Sequence, residues 1–348
     1  MNNLTISKPL KLIKPTIEYA EEIISYRREF TDSGELPLKK ALHGAQGLER
    51  FADPAEWIAY CGLMESPETV PNADWVDASQ YMLVRESDNR ILALLNLRHR
   101  LNERLNLDGG HIGYSVRPSE RGKGYAKRAL ALGLDKAREH GIDNILLTAK
   151  ETNTASRRVA VACGGVYERS VFYDGAERAH YRFNLSGQRM TTGLSEFPAD
   201  ANVYYRTAVR AVCIRGGKCL MVTTNQGDCV FPGGGRESGE TFEQTLRREV
   251  AEETGYTVTA IHDEIACVTS NHVDVEAARS HLSMDNHYFA CEVGDSPTSA
   301  QQLSDEERAA GYDVAWIDLE TALEARNKVS KNRPGNALIE YLLAKERQ

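Results

Sequence analysis

The sequence predicts a mixed α/β protein, α+β in arrangement, built as two domains. Three observations carry this. The chain has 348 residues, long for one hydrophobic core and comfortable for two. Strand-like and helix-like periodicities alternate to about residue 185 and resume after about residue 202. Between them, SGQRMTTGLSEFPADAN (186–202) loses periodicity and reads as a linker. The expected division is a first domain over 1–187, a linker over 188–202 and a second domain over 203–348.

In the first domain Lys11–Lys14 is a short strand, and Thr16–Phe30 a helix with Ile17, Ala20, Ile23 and Ile24 turned inward. Residues 31–80 are rich in Pro and Gly, irregular and helical by turns. YMLVRESDNRILALLNLRHRL is a hairpin turning at Ser87–Arg90. HIGYSV is a strand, Gly122–His140 a helix and NILLTAK another strand. Asn153–Cys163 is a helix closed by Gly164 and Gly165, and AHYRFNL is a final strand. The second domain opens with the strands YRTAVRAVCIR and KCLMVTT about a Gly216-Gly217 turn. A helix over 242–254 follows, then strands near 257–268 and 286–293, an acidic loop Gly294–Gly311, the strand VAWID and two helical stretches.

The net charge of −8 is uneven: residues 1–187 hold 26 Lys+Arg against 25 Asp+Glu, leaving 16 against 25 for the rest. An acidic second half argues against a nucleic-acid polymer as partner and for small-molecule substrates. The seven cysteines share no C-x-x-C spacing and sit mostly in apolar runs, as reduced, buried thiols do. MNNLTISKPLKLIK has no long apolar core, and no run approaches a membrane span, so no membrane partner and a cytoplasmic location are expected.

The densest chemical signal is GGRESGETFEQTLRREVAEETGY (234–256). Gly234, Glu240, Arg248, Glu249, Val250, Glu252, Glu253, Gly255 and Tyr256 fill G-x5-E-x7-R-E-U-x-E-E-x-G-U, with U a bulky apolar residue. Thr241 and Gln244 form a capping box, so a helix begins at Phe242, and Gly255 ends it in a left-handed conformation. Phe242, Leu246 and Val250 make the buried stripe. Glu249, Glu252 and Glu253, at i, i+3 and i+4, converge on one patch, with Glu252 and Glu253 expected to face substrate rather than core. Hard oxygen donors favour Mg2+ or Mn2+; Arg248 braces them or a phosphate. Gly233, Gly234 and Gly235 form a loop that brings backbone close to phosphate. A solvated acidic face is the plainer reading of a glutamate cluster, but the glycine loop, capping box, Arg248 and Gly255 stand in register with it. The stretch resembles the Nudix box of enzymes that hydrolyse nucleoside diphosphates linked to another moiety. The resemblance implies an α/β/α sandwich, with Glu249, Glu252 and Glu253 as metal ligands and Glu249 as ligand or base. Glu306 or Glu307, in the later loop, is the rival base. His272 stands where a Pro would mark the ADP-ribose type, so the group linked to the diphosphate stays open.

A second motif follows the strand HIGYSV. Arg121-x-x-Gly124-x-Ala126 sets glycines at 122 and 124 before a helix, where N–H groups and the helix dipole favour an anion. The order strand, glycine loop, helix, strand and then Asn153-Thr-Ala-Ser156 resembles the GNAT acetyltransferase superfamily, and so does residues 1–187 as a whole. That resemblance implies a mixed sheet splayed between two central strands, with acetyl-CoA in the gap. Its expected contacts are Tyr114, Val116, Arg121, Gly122, Lys123, Gly124, Tyr125, Ala126, Asn153 and Ser156. Ala160 occupies the place of the family's general-acid Tyr, which leaves Tyr114, Tyr167 and Tyr173 as unranked substitutes. His111 is either the general base for an acceptor amine or a structural histidine; Arg117 and Glu120 read as loop supports. The combined expectation is an acetyl-CoA-dependent N-acetyltransferase fused to a Mg2+- or Mn2+-dependent diphosphate hydrolase. The alternative is that the first domain only senses acetyl-CoA or nucleotide.

Overall fold

In the first half of the chain an antiparallel meander runs through β1 (Leu10–Ile13), β2 (Ala78–Arg85), β3 (Arg90–Arg98) and β4 (Ile112–Val116). The computed structural model describes residues 5–35, 41–237, 239–274, 280–330 and 333–346. Helices α1 (Ala20–Asp32) and α2 (Pro54–Leu63) cover one face of the meander, where Met82, Val84 and Leu94 pack with Ile23, Tyr26 and Trp57. After the short α3 (Glu103–Leu107), helix α4 (Tyr125–Glu139) covers the other face, where Leu83, Leu95 and Leu97 pack with Ala129, Leu130 and Leu134. Burial on both faces explains why YMLV and ILALL are continuous apolar runs rather than alternating ones.

The chain then enters a second antiparallel sheet, ordered β5 (Asn144–Lys150), β7 (Ala176–Asn184), β6 (Val166–Tyr173), with α5 (Thr154–Ala162) between β5 and β6. Strand β6 was not expected. Its residues VYERSVFY are mostly exposed, so no buried stripe marks it. The expected helix over Gly122–His140 and strand NILLTAK are present as α4 and β5.

Residues 7–185, together with 198–200, form one compact unit, and the rest of the described chain forms the other. The stretch 186–202 is therefore not a plain linker. It contains β8 (Gln188–Gly193), an edge strand with one apolar residue, Met190, against the core. Residues 198–200 belong with the first unit, where Lys8 donates to the Asp200 carbonyl at 2.6 Å.

The second unit holds β9 (Asn202–Val212), β10 (Lys218–Thr223), β11 (Cys229–Val230), β12 (Gly233–Gly235), α6 (Phe242–Thr254), β13 (Val258–Asp274) and β14 (Ser280–Val293). It closes with α7 (Asp305–Ala309), β15 (Asp313–Asp318), α8 (Leu319–Val329) and α9 (Pro334–Glu346). The main sheet is mixed: β9 pairs parallel with β14, β14 antiparallel with β13, and β13 parallel with β8. Both hairpin strands outrun the expected bounds, and the acidic loop after them contains α7. Val209 and Ala211 of β9, with Cys213 just after it, meet Phe242, Leu246 and Val250 of α6 on one face. Val212, Ala266, Val268 and Tyr288 meet Leu338 and Ile339 of α9 on the other. This is a sheet between helices. No described helix is long and apolar enough to cross a membrane.

Candidate active sites

Helix α6 begins where the capping box places it: Gln244 N–H donates to Thr241 Oγ1 at 3.1 Å, and Thr241 N–H to Gln244 Oε1 at 2.8 Å. Gly255 ends it at φ 72°, with its backbone packed against the Ser299 carbonyl. From this helix Arg248 reaches back over the preceding loop. It donates to both oxygens of Glu240, at 2.7 and 3.0 Å, and to Glu249 and Glu252 at 2.8 and 3.1 Å. The two-pronged contact holds the Glu240 carboxyl down at about 2. Glu240 also accepts from Glu237 N–H and Thr245 Oγ1, both at 2.9 Å. Its place is that of an anchor.

The three helix carboxylates divide. Glu253 is buried, against the expectation that it faces substrate, and accepts from Gly233 N–H at 2.8 Å. Burial pushes its carboxyl up to about 8. Glu249 presses on Gly234, where any Cβ would collide with its carboxylate, and burial raises it too. Glu252 is the more exposed, held by Arg248. The three do not gather within 4.8 Å of one another, as Glu264, Cys267 and His287 do. A buried and a half-buried carboxylate, both raised by desolvation and beside a third, are a hard-oxygen donor set that a divalent cation would neutralise. The chemistry fits Mg2+ or Mn2+.

Two arginines of β9 border this site, and the motif gave no hint of either. Arg210 donates to the carbonyls of Phe231 and Gly233, each at 3.0 Å. Arg206, half-buried, lies beside Gly235 with no acidic partner among the described residues. A half-buried guanidinium without an acid is poised for an anionic ligand. Glu307 makes a capping box with Ser304 at the start of α7, and its charge is felt at Glu253; Glu306 lies in the same first turn.

In the first unit β4 and β5 belong to different sheets. They meet at the start of β4, where His111 N–H donates to the Leu146 carbonyl at 2.7 Å and Leu146 N–H donates to His111 Nδ1 at 3.0 Å. No strand pairing joins β4 and β5, which lie in different sheets. His111 thus pins β4 to β5: its Nδ1 accepts from backbone, and burial lowers the ring to about 4. Past the clasp, Tyr114 OH meets Ser156 Oγ at 3.0 Å, and Asn153 caps α5 through Ser156 N–H at 3.1 Å. Tyr114 therefore links β4 to α5, whereas Tyr167 is exposed and bonds Ser170 on β6. Ala160 is buried in α5 and offers no proton.

At the far end of β4, Gly122 and Gly124 have φ of 78° and 86°, and Gly122 has open space above it. Gly124 caps α4 without any side-chain hydrogen bond, which leaves helix N–H groups available to an anion. The expected loop cations are otherwise engaged: Arg121 pairs with Glu35 at 2.6 Å and Lys123 with Glu120 at 2.8 Å. Arg117 is buried on Glu22 and Glu29, a loop support as expected, and so is Glu120, which also pairs with Arg90. Val116 packs on the core beside α4, Tyr125 is buried there and Ala126 is half-buried.

The family description "NUDIX domain" matches residues 204–337, and "Acetyltransferase (GNAT) family" matches residues 50–164. The chain carries a GNAT acetyltransferase domain and a Nudix domain. Among solved structures it is similar to the ribosomal-protein-S5-alanine acetyltransferase from Vibrio fischeri, at 16% identity over 51% of this chain and 92% of that one, TM-score 0.36. It is similar to the MutT NUDIX hydrolase from Burkholderia pseudomallei, at 20% identity over 33% and 84%, TM-score 0.26. A NUDIX hydrolase from Nitrosomonas europaea shows 22% identity over 40% and 90%, TM-score 0.27. No curated protein matches.

Within the Nudix domain the motif residues thus fall into an anchor (Glu240), a clamp (Arg248) that also holds Glu252, and two carboxylates, Glu249 and Glu253, at the glycine strand. Within the GNAT domain the sequence-read residues form two groups, Gly122 and Gly124 at the start of α4 and Tyr114, Asn153 and Ser156 at the start of α5.

Proposed function

We propose that the chain is bifunctional: the GNAT domain transfers an acetyl group from acetyl-CoA to an amine, and the Nudix domain hydrolyses a nucleoside-diphosphate-linked or related diphosphate with Mg2+ or Mn2+. The observation that carries the hydrolase half is the Arg248 clamp, which fixes Glu240, Glu249 and Glu252 from one guanidinium. Glu249, Glu252 and Glu253 would hold the metal. Bound there, the ion would supply charge neutralisation and a more acidic water. Arg206 and the open backbone of Gly235 would receive a phosphate oxygen, and Glu249 or a loop carboxylate such as Glu307 would take the proton of the attacking water.

In the transferase half, the uncapped start of α4 with Gly122 and Gly124 would take the pyrophosphate of acetyl-CoA. The pantetheine arm would lie along the unpaired edge of β4. Tyr114, kept protonated by its burial, would give its hydroxyl proton to the departing thiolate, with Ser156 Oγ at 3.0 Å holding the hydroxyl in place and solvent restoring the proton.

Phosphate release over a panel of nucleotide conjugates, with Mg2+, with Mn2+ and with chelator, tests the hydrolase reading. Metal-dependent release of at least one substrate is expected, with Tyr114→Phe changing acetyl transfer and leaving release intact. Release unaffected by chelator, or none on any diphosphate, would overturn it.

A further inference from the structure

Strand β3 ends on a cation that no acid holds. Arg98 is half-buried, and its Nη1 donates to the carbonyls of Gly109 and Gly110 at 3.1 and 2.9 Å. Its Nε and Nη2 have no hydrogen-bond partner among the described residues, and neither is sealed from solvent. Asp108, an acid whose charge reaches it, is paired with Arg178 at 2.9 Å. By contrast Arg85, Arg90, Arg117 and Arg121 of the same unit each hold a carboxylate. Burial, and then Arg104, pulls the Arg98 guanidinium down to about 10, which leaves it a cation near neutral pH.

The strand register places this group. Leu94, Asn96 and Arg98 share the face that α1 and α2 cover, and Gly113 of β4 stands opposite Asn96 on that face. Gln80 and Asn96 hold the loop 44–46 down there: Gln80 Nε2 donates to the Gly44 carbonyl at 2.9 Å, and Asn96 Nδ2 donates to Gln46 Oε1. Arg98, one step further along β3, takes no part in holding it. Gly113 keeps the floor clear. A Cβ there would lie 3.4 Å from the Gly44 backbone and 3.6 Å from Arg98 Nη2, so a longer side chain would fill the space beside the guanidinium. Tyr114, the next residue, turns to the other face, where Leu95 opposite it packs with α4.

We propose that Arg98 binds the carboxylate of the acetyl acceptor, so that the acceptor is an α-amino acid or a similarly small amine with an adjacent carboxylate. This rests on the transferase reading above. The free Nε and Nη2 form a two-pronged donor that matches a carboxylate. A single unpaired guanidinium balances one negative charge rather than the nearly two of a phosphate. With acetyl-CoA entering from the start of α4 and lying along the unpaired edge of β4, its thioester comes toward the start of that strand, beside Gly113. Arg98 Nη2 lies close to Gly113, one residue from Tyr114, so carboxylate and amine must be near neighbours in the acceptor. The ion pair then holds the amine on one face of β4 while Tyr114 stands on the other, and nucleophile and proton donor meet the thioester from opposite sides. The amine nitrogen forms the C–N bond as the C–S bond breaks. The thiolate takes the Tyr114 proton, and the proton displaced from nitrogen goes to solvent.

The test uses the full chain with acetyl-CoA and reads thiol release over L-amino acids, their carboxamides and the matching decarboxylated amines. At least one amino acid should show a kcat/KM about tenfold or more above that of its carboxamide, since the amide leaves a charged donor unmatched. Arg98→Gln should raise the KM for that acid about tenfold or more, erase its advantage over the carboxamide, and leave acetyl-CoA affinity by calorimetry within about twofold. Arg98→Lys keeps the charge without the fork and should recover only part of the loss. The acid-against-amide comparison needs no variant, so it decides the matter even if Arg98→Gln fails to fold. Equal or better use of the carboxamides or amines by wild type, or an acid preference that survives Arg98→Gln, would overturn the proposal and leave the transferase reading standing. Transfer to no amine at all would overturn both.

Discussion

At Gly234 the backbone and the Glu249 carboxylate share one small volume, since a Cβ there would collide with both carboxylate oxygens. The backbone of Gly234 does not need the left-handed region, so alanine is conformationally acceptable and the carboxylate must yield. Gly234→Ala should therefore weaken apparent Mg2+ affinity about tenfold or more while moving the melting temperature little; titration of activity against Mg2+ checks it. His111 gives a second prediction. Its ring titrates near 6.5 when unfolded and about 4 when folded, so the unfolded chain binds the extra proton between those values. The stability it contributes is whole above about pH 6.5 and is lost as pH falls toward 4. His111→Asn should flatten that part of the curve of melting temperature against pH. An acetyl-transfer limb near pH 6.5 that vanishes in this variant would instead make His111 the base.

Helix α6 was legible because three local signals agree: the Thr241–Gln244 box, the Phe242, Leu246 and Val250 stripe, and Gly255 at the end. Leu246 is fully buried, and Leu246→Ala should cost about 2–5 kcal/mol by denaturant unfolding. Strands β6 and β8 were not legible for the opposite reason. Exposed VYERSVFY and QRMTTG have no buried face to imprint a period. Arg206 and Arg210 escaped because their roles depend on β9 pairing with the glycine strand, which no local spacing records. Glu253 misled in the same way: helical spacing groups it with Glu252, whereas its packing against Gly233 buries it. In the transferase half the glycine loop was readable from Gly122 and Gly124, but only the observed bridge to Ser156 singles out Tyr114.

For the molecule as a whole, residues 186–197 group with the second unit, where β8 pairs with β13 along Ala266–Asn271. A Nudix fragment starting at residue 186 should melt several degrees above one starting at 203, which strips β8 and bares a long strand edge. Equal melting would show that β8 adds nothing. The central claim is that one chain holds two chemically separate sites, and crossed variants measured in parallel test it most directly. Gly124→Val should abolish acetyl-CoA binding by calorimetry and leave metal-dependent phosphate release within about twofold of wild type, whereas Glu252→Gln with Glu253→Gln should do the reverse. Loss of both activities in either variant, or of neither, would contradict the account.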